Sequence, residues 1–149
     1  MAVTAYWYAG AFIQAFDKEI DFLADSMKVM LTTSTYTPNQ DTHDYKDDVT
    51  NEVTGTGYTA GGEALTTPTN TNTLNVVTFD AADTAWASST ITARLAVLYD
   101  ATPASDATRP LMLWVDFGQN ESSSSGTFTI QWNASGIATI TATDATGFP

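Results

Sequence analysis

The chain has 149 residues, of which 17 are acidic, five are basic and one, His43, is a histidine, giving a formal net charge of −12. This length suits one domain with a single hydrophobic core. The lack of cysteine excludes disulfides, thiolate metal sites and cysteine nucleophiles, and the negative charge argues against nucleic acid and anionic membranes as partners, because both bind proteins largely through Lys and Arg.

The first residues have neither the basic start nor the unbroken apolar run of a secretory signal. No stretch of the chain reaches the ~20 apolar residues that cross a bilayer. We therefore expect a soluble protein that is synthesised in a cytoplasm and has no membrane partner.

Residues 4–17 are rich in alanine and aromatic side chains, and Tyr8, Phe12 and Phe16 recur at every fourth position. This spacing predicts a short amphipathic helix. Gly10 weakens the prediction by about 1 kcal/mol relative to alanine, so an extended arm is the alternative. After a polar turn, residues 27–33 are predicted to form a strand.

The middle of the chain is first acidic and then rich in glycine and threonine. Thr42 is predicted to cap a brief helix that runs to Asp48, because acidic side chains suit the first turn of a helix. Residues 55–72 are predicted to be a long loop or edge strands, with residues 58–65 as one such edge. Residues 74–79 are predicted to form a more regular strand.

Residues 91–142 are predicted to form four short strands. A period of two places the odd positions from Ile91 to Tyr99 on one face of a sheet. Residues 111–117 and 127–132 alternate in the same way, and the polar segment 120–126 between them is predicted to be the turn of a hairpin. The last strand is predicted within residues 136–143.

These elements predict a mainly β protein, a single-domain antiparallel β-sandwich or open barrel with one or two short helices. Residues 1–149 form one β-rich domain in this interpretation. Residues 1–17 are its N-terminal helix or arm.

The sequence contains little that is typical of catalysis. A nucleophilic triad would have to use His43, no Gly-x-Ser-x-Gly motif is present, and an exposed loop histidine is the better interpretation. The acidic residues of segment 41–52 lack the order of a dedicated calcium loop. The four tryptophans lie in or beside predicted elements, which favours core or interface positions. We predict no catalytic residue, no cofactor and no metal.

Several short segments carry a resemblance to a known family. They are residues 41–45 (DTHDY), 51–53 (NEV), 55–62 (GTGYTAGG), 90–94 (TITAR) and 115–118 (VDFG). At these segments the sequence resembles a family of small virion structural proteins of tailed bacteriophages. The resemblance implies a capsid decoration (cement) protein, or a related head or tail accessory, which is synthesised in the host cytoplasm and lies on the outer capsid surface.

That resemblance implies the major capsid protein as a partner, together with other copies of this chain as a homotrimer. The N-terminal segment concentrates aromatic area beside little charge, so the predicted interface residues are Tyr6, Trp7, Tyr8 and Phe12. The alternative is that they cap the protein's own core. Two other functions stay open: a tail or head-fibre accessory that binds host-surface glycan, and an enzyme that cleaves polysaccharide with two facing carboxylates.

Overall fold

The computed structural model describes residues 3–143. In this range the chain forms eight strands and one α-helix, together with two 3₁₀ turns. The strands are β1 (Thr4–Trp7), β2 (Met27–Thr32), β3 (Glu63–Ala64), β4 (Thr69–Thr73), β5 (Val76–Asp80), β6 (Thr84–Asp100), β7 (Leu111–Ile130) and β8 (Ala138–Thr141). The helix is α1 (Gly10–Phe16), and the 3₁₀ turns are Lys46–Asp48 and Asp106–Thr108.

The strands form two antiparallel sheets. The larger sheet has the order β1-β7-β6-β2-β3, and the smaller sheet has the order β4-β5-β8. Within the described range neither sheet closes into a barrel. The prediction of a mainly β fold with one or two short helices is confirmed.

The long strands β6 and β7 are the centre of the larger sheet, and their pairing is interrupted by register shifts. One shift lies between Ala93 and Leu95, where β7 has extra residues around Gly118, whose φ is +79°. Ile91 and Ala93 pack into one core cluster, and Leu95, Val97 and Tyr99 pack into the other. The prediction that these odd positions share one face was wrong, because the alternation of β6 is interrupted between Ala93 and Leu95, at this register shift.

The polar segment 120–126 is not a turn. It lies inside β7, which runs without a break from Leu111 to Ile130 and pairs with β6 along its length. The partner segment of β6 is equally polar: the Ser89 and Ser123 hydroxyls are 2.7 Å apart, and those of Thr92 and Ser122 are 2.8 Å apart. Cross-strand hydroxyl pairs thus stabilise this segment as a strand, although its sequence by itself resembles a loop.

The N-terminal segment combines both predicted alternatives. Residues 4–7 are extended and pair with β7, and α1 begins only at Gly10. A Cβ atom at Gly10 would overlap the Asp44 carboxylate, so a larger residue there would require that side chain to move. The single helix predicted for residues 4–17 was therefore wrong in its first half.

The helix predicted from Thr42 was also wrong. The chain instead forms the 3₁₀ turn Lys46–Asp48, which follows Tyr45. The Asp48 carboxylate accepts hydrogen bonds from the backbone N–H groups of Asp44 and Tyr45 at 2.9 and 3.1 Å. A carboxylate that binds the preceding backbone in this way fixes a tight turn.

The other strand predictions are confirmed with altered bounds. Strand β2 lies where it was predicted, and β8 occupies the middle of the predicted last strand. Only Glu63 and Ala64 of the predicted edge at 58–65 pair with β2. In the predicted strand 74–79, Leu74 and Asn75 form a turn with positive φ, and β5 begins at Val76.

The core has two parts, one on each face of the larger sheet. The first lies between the two sheets and includes Val29, Trp86 and Phe128, with Phe79 of the smaller sheet packed against it. The second lies on the other face, where Tyr8 and Tyr36 are among the side chains that cover the sheet.

No helix within residues 3–143 combines the length and the apolar character needed to cross a membrane.

Candidate functional site: a charge-free face

Charged residues are distributed unevenly along this acidic chain. Segments 3–16, 64–79 and 122–143 contain none of the 22 acidic and basic side chains. The fold brings the three segments together, because β5 pairs with both β4 and β8, and the Trp7 ring meets the Phe79 ring at 5.4 Å. We call the surface of these three segments the charge-free face.

The four predicted interface residues lie at different depths of this region. Tyr6 is 43% exposed and stacks on Trp114 with ring centroids 5.0 Å apart. Trp7 and Phe12 are half-buried and contact each other at 5.3 Å. Tyr8 is fully buried, so it has no surface to offer a partner and serves the protein's own core. Of the four, Tyr6 keeps the most accessible surface.

The most exposed apolar side chains of the N-terminal segment are ones that the sequence analysis missed. Ile13 is 66% exposed and Phe16 is 88% exposed, while the buried positions of α1 include Ala11 and Gln14. The predicted helix had placed Phe16 on its buried stripe with Tyr8, which in fact lies outside the helix. The sequence did contain a signal, because no charged residue occurs from residue 3 through residue 16. A surface helix ordinarily has charged or polar side chains on its solvent side, and a helix without them exposes apolar surface.

Two grooves border the charge-free face, and charged residues also line them: Lys18 and Asp21 in the first, Glu121 in the second. One of about 430 Å³ lies beside α1, and its lining includes Phe12, Phe79 and Ile140. The other, of about 610 Å³, runs along β7 and is lined in part by Phe117 and Trp132. The indole N–H of Trp132 is buried and has no hydrogen-bond partner.

The charged side chains concentrate elsewhere and contact one another. Asp106 accepts a hydrogen bond from Lys46 at 2.8 Å and one from Arg109 at 2.6 Å, and these cations hold the pKa of its carboxyl below the ordinary value. Arg94 likewise binds Asp116 at 2.7 Å and lowers the pKa of that carboxyl. The ion pairs tie loops and strands of the same chain together.

His43, which was predicted to be an exposed loop residue, is half-buried and takes part in a chain of hydrogen bonds that reaches the core. The Tyr8 and Tyr36 hydroxyls are 2.9 Å apart, and the Tyr36 hydroxyl is 2.9 Å from His43 Nδ1. The Asn39 backbone N–H also donates to Nδ1 at 3.3 Å, which makes Nδ1 the acceptor for both groups. Burial raises the pKa of Tyr36 to about 12. This geometry gives His43 a structural role between the loop and the core.

Two acidic residues of segment 41–52 also have structural roles. Asp48 binds the backbone of its own turn, and Glu52 Oε1 accepts hydrogen bonds from the Tyr58 hydroxyl at 2.8 Å and from the Gly61 N–H at 2.5 Å. Each of the four grooves that we find among residues 3–143 contains at most one carboxylate. These grooves therefore provide no facing pair of the kind that glycoside cleavage uses.

Comparison of the chain with protein-family models, with curated proteins and with solved structures found no match.

Proposed function

We propose that this chain is a non-enzymatic virion structural protein of a tailed bacteriophage, and that it acts as a capsid decoration protein which bridges subunits of the major capsid protein. The resemblance of the sequence segments to that family motivates the proposal. The observation that carries it is the charge-free face, with Phe16 and Ile13 exposed on a chain of net charge −12. The N-terminal segment would contact the shell, and several copies, expected as a homotrimer, would act together.

The chemistry of the charge-free face and that of the acidic remainder of the surface both support this assignment. Solvated carboxylates resist burial at an interface because desolvation of an unpaired charge is costly. Exposed aromatic and aliphatic side chains gain free energy when they are removed from water, at about 25 cal/mol per Å² of apolar surface. A protein that attaches itself to a large shell through one face would therefore keep that face free of charge and leave the acidic side in solvent.

Weak contacts are sufficient for this role. An oligomer that binds neighbouring capsid subunits through several copies gains avidity through effective concentration, so that no single contact has to be strong. An acidic outer surface also has no affinity for the packaged genome, which repels it.

The first test is the number of copies on purified particles of the phage that encodes the chain, measured by quantitative mass spectrometry. A decoration protein is expected in hundreds of copies. A count of six or twelve would instead place the chain at a vertex or in the tail, and its absence from the particle would end the virion assignment.

The second test uses a matched pair of substitutions that each add one negative charge. Phe16→Glu changes the charge-free face, and Ala104→Glu changes an exposed loop on the charged side. The Phe16 side chain is 88% exposed and Ala104 is also exposed, so both variants are expected to fold. Phe16→Glu should lose binding to particles that lack the protein, whereas Ala104→Glu should bind like the wild type. Equal binding by the two variants would contradict the proposed attachment surface.

One observation favours the glycan-binding accessory as the second candidate. The groove of about 610 Å³ combines the Trp132 ring with polar side chains such as Gln131 and Asn133. Aromatic rings beside amides suit sugar rings and their hydroxyls. Binding of the isolated chain to a host-surface polysaccharide, lost in Trp132→Ala but kept in Phe16→Glu, would favour this candidate over the decoration protein.

A further inference from the structure

Strand β4 is an open edge of the smaller sheet. Within the described range β4 pairs only with β5, and every one of its five residues is exposed. Open edges are ordinarily protected by charged side chains, proline or bulges, because they present unpaired backbone groups to other chains. Strand β4 has none of these from Thr69 to Thr73, and Pro68 lies just before it.

The turn after β4 determines which backbone groups face this open edge. Leu74 and Asn75 have φ values of +51° and +66°, as in a type I′ turn, and Thr73 lies opposite Val76. In a two-residue hairpin of this type the residues that flank the turn exchange both of their backbone hydrogen bonds, and so does every second pair after them. Thr69, Thr71 and Thr73 therefore bind β5, while the N–H and C=O groups of Asn70 and Asn72 point away from the sheet.

The sequence of β4, Thr-Asn-Thr-Asn-Thr, reads the same in both directions. When two such strands meet in antiparallel orientation around Thr71, threonine lies opposite threonine and asparagine opposite asparagine. Asn70 then faces Asn72 of the second copy, and the two outward-pointing residues of each strand provide four backbone hydrogen bonds. Cross-strand threonine pairs add to the stability of such a contact.

The distribution of charge favours a second copy of this chain as the partner of the β4 edge. Two chains of net charge −12 repel each other, and a two-fold contact brings each residue close to its own counterpart. Segment 64–79 contains no charged side chain, so pairing at β4 places no like charges opposite one another. We propose that two copies of this chain pair β4 with β4 across a two-fold axis at Thr71 and thereby join their smaller sheets into one six-stranded sheet.

This inference is independent of the proposed function, because it concerns the purified protein alone. An assembly that contains the contact has an even number of copies: a dimer by itself, or a hexamer where β4 joins two of the expected homotrimers. Loss of the contact therefore halves the mass in either case.

The test compares Thr71→Lys with Thr139→Lys by sedimentation velocity of the purified protein. Thr71, Thr78 and Thr139 lie opposite one another in neighbouring strands, so the two substituted positions share one row on one face of the smaller sheet, at its two edges. Both positions are exposed, so the fold is expected to tolerate lysine at each, and thermal unfolding checks this. The assembly formed by Thr71→Lys should have half the mass of the wild-type assembly, and the assembly formed by Thr139→Lys should keep the full mass.

A charge exchange tests the register. Thr71→Glu should also have half the mass, and an equal mixture of Thr71→Lys and Thr71→Glu should regain the full mass, because the two-fold axis places Lys opposite Glu. A wild type that is monomeric at every concentration, a Thr71→Lys variant that keeps its mass, a Thr139→Lys variant that loses half of it, or a mixture that does not recover would each overturn the inference.

Discussion

The charge-free face differs from the charged loops (residues 36–63 and 101–110) in what its side chains contact. In the charged loops Asp106 binds two cations, Tyr36 binds His43, and Glu52 binds Tyr58. On the charge-free face Phe16 and Ile13 are exposed, and the edge of β4 has no partner within residues 3–143. The comparison indicates that polar groups of the charged loops hold the chain together, whereas the charge-free face leaves apolar side chains and the edge of β4 without partners within residues 3–143.

The largest effect on stability is expected at a glycine. A crowded glycine in the charged loops is compared with an open glycine on the charge-free face. Gly62 has φ of +74°, and a Cβ atom there would overlap the backbone carbonyl of Val29. The nearest atom to a Cβ at Gly126 is the Ser124 carbonyl oxygen, 3.7 Å away. Gly62→Ala should lower the free energy of unfolding by at least about 3 kcal/mol, and Gly126→Ala should change it by less than about 1 kcal/mol. Urea unfolding of both variants checks this, and equal losses would contradict the contrast.

A second pair of substitutions separates the core from the exposed surface within the N-terminal segment. The half-buried Trp7 ring packs against Phe12 and Phe79, so Trp7→Ala should cost about 3 kcal/mol. Phe16 is almost fully exposed, so Phe16→Ala should change the stability by no more than about 0.5 kcal/mol. A Phe16→Ala variant that unfolds as easily as Trp7→Ala would mean that Phe16 belongs to the core and is not available to a partner.

The third prediction concerns the buried hydroxyls beside the charged loops. Tyr36→Phe removes the partner of the fully buried Tyr8 hydroxyl and should cost about 1–3 kcal/mol. Tyr8→Phe leaves the Tyr36 hydroxyl bonded to His43, so it should cost less, about 1 kcal/mol. The opposite order in thermal or urea unfolding would contradict the hydrogen-bond chain.

The same hydroxyls predict a loss of stability in alkaline solution. Burial raises the pKa of Tyr36 and that of Tyr99 from 10.0 to about 12, and it raises the pKa of Tyr8 and that of Tyr58 still further. A raised pKa in the folded state contributes stability that is fully present below pH 10 and is lost as the pH rises through about 12. The free energy of unfolding should therefore decrease above pH 10, and less steeply in Tyr36→Phe than in the wild type. An unchanged free energy of unfolding between pH 9 and about 12 would contradict this prediction.

The strand content and the antiparallel fold class were predictable from the sequence because alternation and turn residues are local signals. The face exchange of β6 was not, since it depends on the irregular pairing of β6 with β7 between Ala93 and Leu95. The polar part of β7 was taken for a turn because its stability comes from hydroxyl pairs with Ser89 and Thr92, which a single segment does not reveal. Local patterns thus predicted the elements, and partners distant in sequence decided their registers.

The same limit applies to the candidate site. The absence of charge in the N-terminal segment and its aromatic content were visible in the sequence, and they led to the prediction that Tyr6 lies at an interface, which stays a prediction. Which aromatic residues are exposed depends on the end of β1 and the start of α1, so Tyr8 was assigned to the surface and Phe16 to the buried stripe. Only the fold shows that the three charge-free segments are neighbours on the surface.

Hydroxyl-radical footprinting of the free chain and of purified particles tests the central claim most directly, because it reports which side chains a partner covers. We expect Tyr6, Ile13 and Phe16 to become protected in the particle while His43 and Tyr45 of the charged loops keep the reactivity that they have in the free chain. Protection of the charged loops with Phe16 left reactive would contradict the account.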